Sequence, residues 1–189
     1  MRVFRSIFAL GATLSLVLIG TGTARAASSS SLTCHGTLAA PGFIAPGTYS
    51  SITAVGFCLG PPSGSVIVKG DVTVTAHSAL AANYPSFAAG LPEGDANWVV
   101  NGNVWVGAGA TLLLGCEPAV NCVNTTHDAV RGNVDAVGAL GVILHSSTIG
   151  GNVFLTTSIP PNSLVVFEGL TMKVVTKPGP AIGRLDFQI

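Results

Sequence analysis

"VVNGNVWVGAGATLLLG", residues 99–115, is the stretch whose reading decides the fold. Around Gly102, aliphatic side chains fall at alternate positions. The same frame returns as "VIVKGDVTV" around Gly70, "AVRGNVDAV" around Gly132 and "TIGGNVFLT" around Gly151. Two residues before the glycine stand Val68, Val100, Val130 and Ile149. Two after it stand Val72, Val104, Val134 and Val153, and four after it Val74, Val106, Ala136 and Leu155. Strict alternation of this kind marks a strand with one buried face. Thr73, Trp105, Asp135 and Phe154, three after the glycine, share no chemistry, so that column reads as outward-facing.

The glycines are spaced 32, 30 and 19 residues apart. The shortest interval is the bare period, and the longer two each hold an insertion. The insertions are "NYPSFAAGLPEGDAN" (83–97) and "CEPAVNCVNTTHD" (116–128), both rich in turn formers. A second apolar strand follows in each unit, with Leu112 and Leu114 in one and Val142 and Leu144 in another. Self-similarity at a fixed period is the signature of a stacked repeat, in which each unit buries its apolar face on its neighbours. The expected fold is therefore all-β: a right-handed parallel β-helix with rungs of about 19 residues, two loop insertions and capped ends. The coils run over about 66–168, the N-terminal cap over 32–60 and the C-terminal cap over 169–189. Caps are expected because an open coil exposes unpaired strand edges.

The Gly-Asn-Val phrase then has a structural reading. Glycine permits a bend that a Cβ would obstruct. Asp71, Asn103, Asn133 and Asn152 occupy one turn position, where stacked side chains form a hydrogen-bonded ladder. The functional alternative is a row of ligand-binding amides.

The units "VVNGNVWVGAGATLLL" and "STIGGNVFL" resemble rungs of secreted bacterial right-handed β-helix proteins, which share the broad fold of the pectate-lyase-like superfamily. The resemblance covers about Val66 to Phe167, with a degenerate first rung from Tyr49 to Gly60. It implies an architecture rather than an activity, because this fold hosts lyases, hydrolases, adhesins and inert scaffolds.

The N-terminus reads as a secretory signal. Arg2 and Arg5 precede the apolar run "IFALGATLSLVLI" (7–19), and Ala24-Arg25-Ala26 supplies a small-residue cleavage site. At 13 residues the run is too short to span a bilayer of ~30 Å as a helix. Residues 1–26 are therefore set apart, and 27–189 form one domain placed outside the cell. Without the signal, five basic residues face eight acidic ones, a net charge of −3. That balance argues against nucleic acid as a partner, and no membrane insertion is expected after cleavage. Four cysteines, Cys34, Cys58, Cys116 and Cys122, suggest disulfides in an exported chain. Three pairings are possible, and nearness in sequence favours Cys34–Cys58 and Cys116–Cys122. No C-x-x-C pair or histidine spacing points to a metal, and no cofactor motif is present.

Catalytic constellations are sparse. A calcium-dependent lyase needs clustered carboxylates and a strong base, and a glycoside hydrolase needs two opposed carboxylates. The candidates are Arg131, Asp135 and His127, the last because a His127-Asp128 pair can orient a general base. Trp105 and Phe154 in the outward column, beside Lys69 before the bend, read as a sugar-stacking surface. The structural alternative is that an insertion lies over Trp105. The expected function is a non-enzymatic structural or interaction protein of the bacterial surface or matrix, meeting an extracellular polysaccharide or a surface protein. The alternative is a polysaccharide lyase or glycoside hydrolase whose site is built from the two insertions and the Lys69, Arg131 and Asp135 surface.

Overall fold

The computed structural model describes residues 29–83, 96–118, 122 and 124–156, together with the backbone of 164–168, 171–177 and 184–188. The proposed leader (1–26), most of the first insertion and much of the C-terminal stretch lie outside the described residues. The early strands are β1 (Leu32–Gly36), β2 (Gly42–Phe43), β3 (Gly47–Tyr49), β4 (Ile52–Leu59), β5 (Ser65–Val68), β6 (Val72–Val74) and β7 (Ala79–Ala81). Next come β8 (Asn97–Val100), β9 (Val104–Val106), β10 (Thr111–Leu114), β11 (Asp128–Val130), β12 (Val134–Val137) and β13 (Gly141–His145). The last are β14 (Ser147–Thr156), β15 (Leu164–Glu168), β16 (Thr171–Lys177) and β17 (Arg184–Gln188).

Every strand pairing among the described residues is parallel, and no helix longer than an isolated turn interrupts them. Three faces result. The first stacks β3, β5, β8, β11 and the start of β14. The second stacks β1, the start of β4, β6, β9, β12 and the end of β14. The third stacks the end of β4, β7, β10, β13, β15 and β17. This is an all-β parallel coil, consistent with a right-handed parallel β-helix; strand twist favours that hand for parallel crossovers.

Parallel pairing reaches beyond 66–168 at both ends. β1 and β4 already form a rung, with Leu32 opposite Ile52 and Ile52 opposite Val72. β14 pairs onward with β16, and β15 with β17. The cause is that backbone ladder bonds need no repeated side chain, so the coil continues where the Gly-Asn-Val phrase is absent.

The inward columns are continuous. Ile52, Val72, Val104, Val134 and Val153 stack at 2% exposure or less. Cys58, Leu80, Leu112 and Val142 form another column on the third face. Burying each such aliphatic contributes about 1.5–3 kcal/mol relative to leaving it in water. The cysteines pair as Cys34–Cys58 and Cys116–Cys122, with Cα separations of 6.3 and 5.8 Å. Cys34 and Cys58 are both buried, so their bond crosses the interior of the first rung. Such bonds belong to an oxidising, extracellular-type compartment. Among the described residues no helix is long and apolar enough to cross a membrane.

Candidate functional site

The bend between the first and second faces organises the site. Backbone bonds stack the bends directly, Gly102 N–H donating to the Gly70 carbonyl, Gly132 to Gly102 and Gly151 to Gly132. A methyl group at Gly132 would come within 2.6 Å of the Gly102 carbonyl oxygen, so the stack leaves no room for a side chain there. The next residue forms a ladder. Asp71 Oδ1 accepts from Asn103 N–H (2.7 Å), Asn103 Oδ1 from Asn133 N–H (2.9 Å), and Asn133 Oδ1 from Asn152 N–H (2.8 Å). The repeated requirement is thus for an acceptor oxygen, which explains why aspartate stands at 71. These oxygens are used within the scaffold, bonding backbone rather than projecting as a row of free amides.

Immediately after the bend, the outward column on the second face runs Thr53, Thr73, Trp105, Asp135, Phe154 in register. Neighbouring rungs lie ~4.8 Å apart along the axis. Trp105 is 44% exposed, and its indole N–H makes a long bond (3.4 Å) to Asp71 Oδ2 on the rung below. Asp135 and Phe154 are half-buried. Desolvation between the flanking rungs holds the Asp135 carboxyl above the usual carboxylate range.

The other candidates do not join this column. Lys69 and Arg131 are exposed and precede the bend, on the adjoining face. No ion pair links Arg131 to Asp135 among the described residues. His127 and Asp128 face opposite ways: His127 is exposed, whereas Asp128 is buried, opposite Ser147 in register. The strand that begins there alternates its side chains, so the two are placed on opposite sides of it.

The described residues of the second insertion turn to the third face rather than toward Trp105. Its Cys116 and Cys122 pack with Leu59 and Ala81, against Phe57 and Leu113, on the outer side of the third face. Leu59, Ala81 and Leu113 are outward positions of that face, and the disulfide loop gives them their burial.

A buried polar corner between the third and first faces was not legible from the repeat alignment. Asp128 accepts from Trp98 N–H and, at 2.9 Å, from the Thr126 hydroxyl. Thr126 in turn receives Cys116 N–H (2.9 Å). Asn83 donates to the Ala96 carbonyl (2.6 Å) and accepts from Gly115 N–H (3.0 Å), which closes the base of the first insertion. Beside them Glu117 accepts from the Ser146 hydroxyl (2.8 Å) and lies 3.7 Å from the buried His145. Burial pushes the Asp128 carboxyl up to about 6, against the opposing hydrogen bonds from Trp98, Thr126 and Asn83. A signal did exist: four before the repeat glycine stand Val66, Trp98, Asp128 and Ser147, a column that turns polar halfway along.

Among the described residues no group of three or more His, Cys, Asp or Glu side chains converges as a metal site would require. Compared with known protein families, with curated proteins and with solved structures, the chain matches none of them.

Proposed function

We propose that this protein is an exported, non-enzymatic scaffold of the cell surface or extracellular matrix, a non-catalytic relative in fold of the pectate-lyase-like superfamily, that holds a polysaccharide on its second face. The observation that carries this reading is Trp105. A large aromatic side chain stands 44% exposed on a rigid parallel face, in register with Asp135 and Phe154. An indole in a fixed frame offers a sugar a flat apolar surface at little cost in side-chain entropy. Carboxylate and hydroxyl groups on the same column supply polar partners for the sugar's hydroxyls. The two disulfides and the leader-like residues 1–26 support a place outside the reducing cytoplasm.

The test is cosedimentation of the oxidised protein with a panel of insoluble cell-wall and plant polysaccharides, with each supernatant assayed for released sugar. The expected result is retention by at least one polysaccharide without release, weakened about tenfold in Trp105→Ala. Absence of retention across the panel would overturn the reading and turn attention to protein partners. One arrangement favours a second reading, a polysaccharide lyase or hydrolase: Asp135 stands in register between Trp105 and Phe154, and desolvation raises its carboxyl above the ordinary value, the direction a general acid requires. Sugar release abolished by Asp135→Asn would decide for that enzyme.

A further inference from the structure

The spacing of the two rings narrows the ligand. Trp105 pairs with Asp135 and Asp135 with Phe154, so the aromatics stand two rungs apart, about 10 Å along the coil axis. That length is close to one disaccharide of an extended β-1,4-linked glycan. When such a chain is built of gluco-configured sugars, every ring substituent is equatorial. Both ring faces are then arrays of C–H groups, the chain is a flat ribbon, and alternate sugars present equivalent faces. A flat column that repeats rung by rung fits a ribbon of this kind. An α-1,4-linked chain curves away from it after one or two units. Trp105 and Phe154 would each take the C–H face of an alternate sugar, and Asp135 would meet the hydroxyls of the one between.

Charge narrows it further. Among the described side chains the charged groups beside the rings are Asp71, bonded to the indole N–H, and Asp135; toward the first rung the column continues as Thr73 and Thr53. The basic candidates Lys69 and Arg131 stand before the bend on the adjoining face, and the backbone of β16 places Lys173 and Lys177 on the rung beyond Phe154, opposite Asn152 and Thr156. A uronic acid polymer laid on the column would bring its carboxylates against those of the protein, an unfavourable pairing near partly desolvated groups. Hydroxyl donors suit the same acceptors.

We infer that the Thr53–Thr73–Trp105–Asp135–Phe154 column is a binding site for an uncharged, extended β-1,4-linked glycan lying parallel to the coil axis. The inference rests on the glycan-binding reading above and specifies its ligand. Five rungs span about 19 Å, room for about four sugar units.

The experiment is titration of the exported, oxidised full-length product with soluble oligosaccharides, read by calorimetry and tryptophan fluorescence. The series are cello- and chito-oligosaccharides of two to six units, malto-oligosaccharides and oligogalacturonates. Affinity is expected for the β-1,4-linked uncharged series, rising to about four units and then levelling. Trp105→Ala and Phe154→Ala should each weaken it about tenfold, with unchanged circular dichroism and melting. Trp105→Phe should restore most of the loss, which separates ring stacking from folding. Preference for malto-oligosaccharides or oligogalacturonates would overturn this inference and leave glycan binding standing. The same holds for affinity indifferent to Phe154→Ala. Failure to bind any oligosaccharide, together with failure to cosediment, would overturn both.

Discussion

Asp128 occupies an inward position that aliphatic or aromatic side chains fill on earlier rungs, at Val66 and Trp98. Its carboxyl is satisfied by Trp98 N–H and the Thr126 hydroxyl, yet burial raises it from 3.8 to about 6. A group raised in the folded state binds its proton more tightly there than in the unfolded chain. Its stabilising contribution is therefore full below about pH 4 and is lost as pH rises through about 6. The shift corresponds to a change on the order of 3 kcal/mol. Asp128→Asn keeps an acceptor for Trp98 N–H and removes the titration. The variant should match the parent near pH 4 and exceed it at pH 7.5 in thermal melts. A parent whose stability climbs between pH 5 and 7 relative to the variant would contradict this account. Asp128 and His127 also show how one residue's step reverses a side chain's direction: their adjacency in sequence suggested chemistry, and strand alternation separates them.

At the scale of the element, the bend between the first and second faces rests on two complementary features, a missing Cβ and a side-chain acceptor. Asn133→Ala strips Asn152 N–H of its partner and should cost about 1–2 kcal/mol in chemical denaturation. Asn133→Asp retains the acceptor, as Asp71 does two phrases earlier, and should cost much less. Gly132→Ala forces a methyl group against the Gly102 carbonyl and the Asn103 side chain, with an expected loss of about 1–3 kcal/mol. If Asn133→Asp proves as damaging as Asn133→Ala, the ladder depends on the amide and not on its oxygen. Much of this element was legible in sequence because each rung repeats the same local demand. The partner of each side-chain oxygen was not, since amide-to-amide and oxygen-to-backbone bonding place the same residues in the same column.

For the whole molecule, stacking makes stability nearly one-dimensional, with each rung held by its neighbours. The first rung has a neighbour on one side only among the described residues, β1 pairing with β4 alone. The Cys34–Cys58 bond compensates by joining β1 to the end of β4 across the interior. Closing a loop of 24 residues constrains the unfolded chain by about 3 kcal/mol. Replacing both cysteines with serine should lower stability by about that amount. Hydrogen exchange should quicken first in residues 32–59, while Val104–Val106 and Val134–Val137 keep their protection. Uniform loss of protection along the chain would show instead that the coil unfolds as one unit.

The sequence by itself determined the parallel coil, the place of the bends and the inward columns. All three follow from constraints repeated every rung, an aliphatic at alternate positions and a glycine with an acceptor beside it. Tertiary structure alone decided which outward columns meet solvent. Leu59, Ala81 and Leu113 pack beneath the Cys116–Cys122 disulfide on the third face, whereas Trp105 on the second stays 44% exposed. It also decided that Asp128 is an interior group with a shifted carboxyl. Outward positions carry no local demand that a repeat could record. Their burial is set by segments distant in sequence, whose path depends on what the assembled coil offers them to pack against.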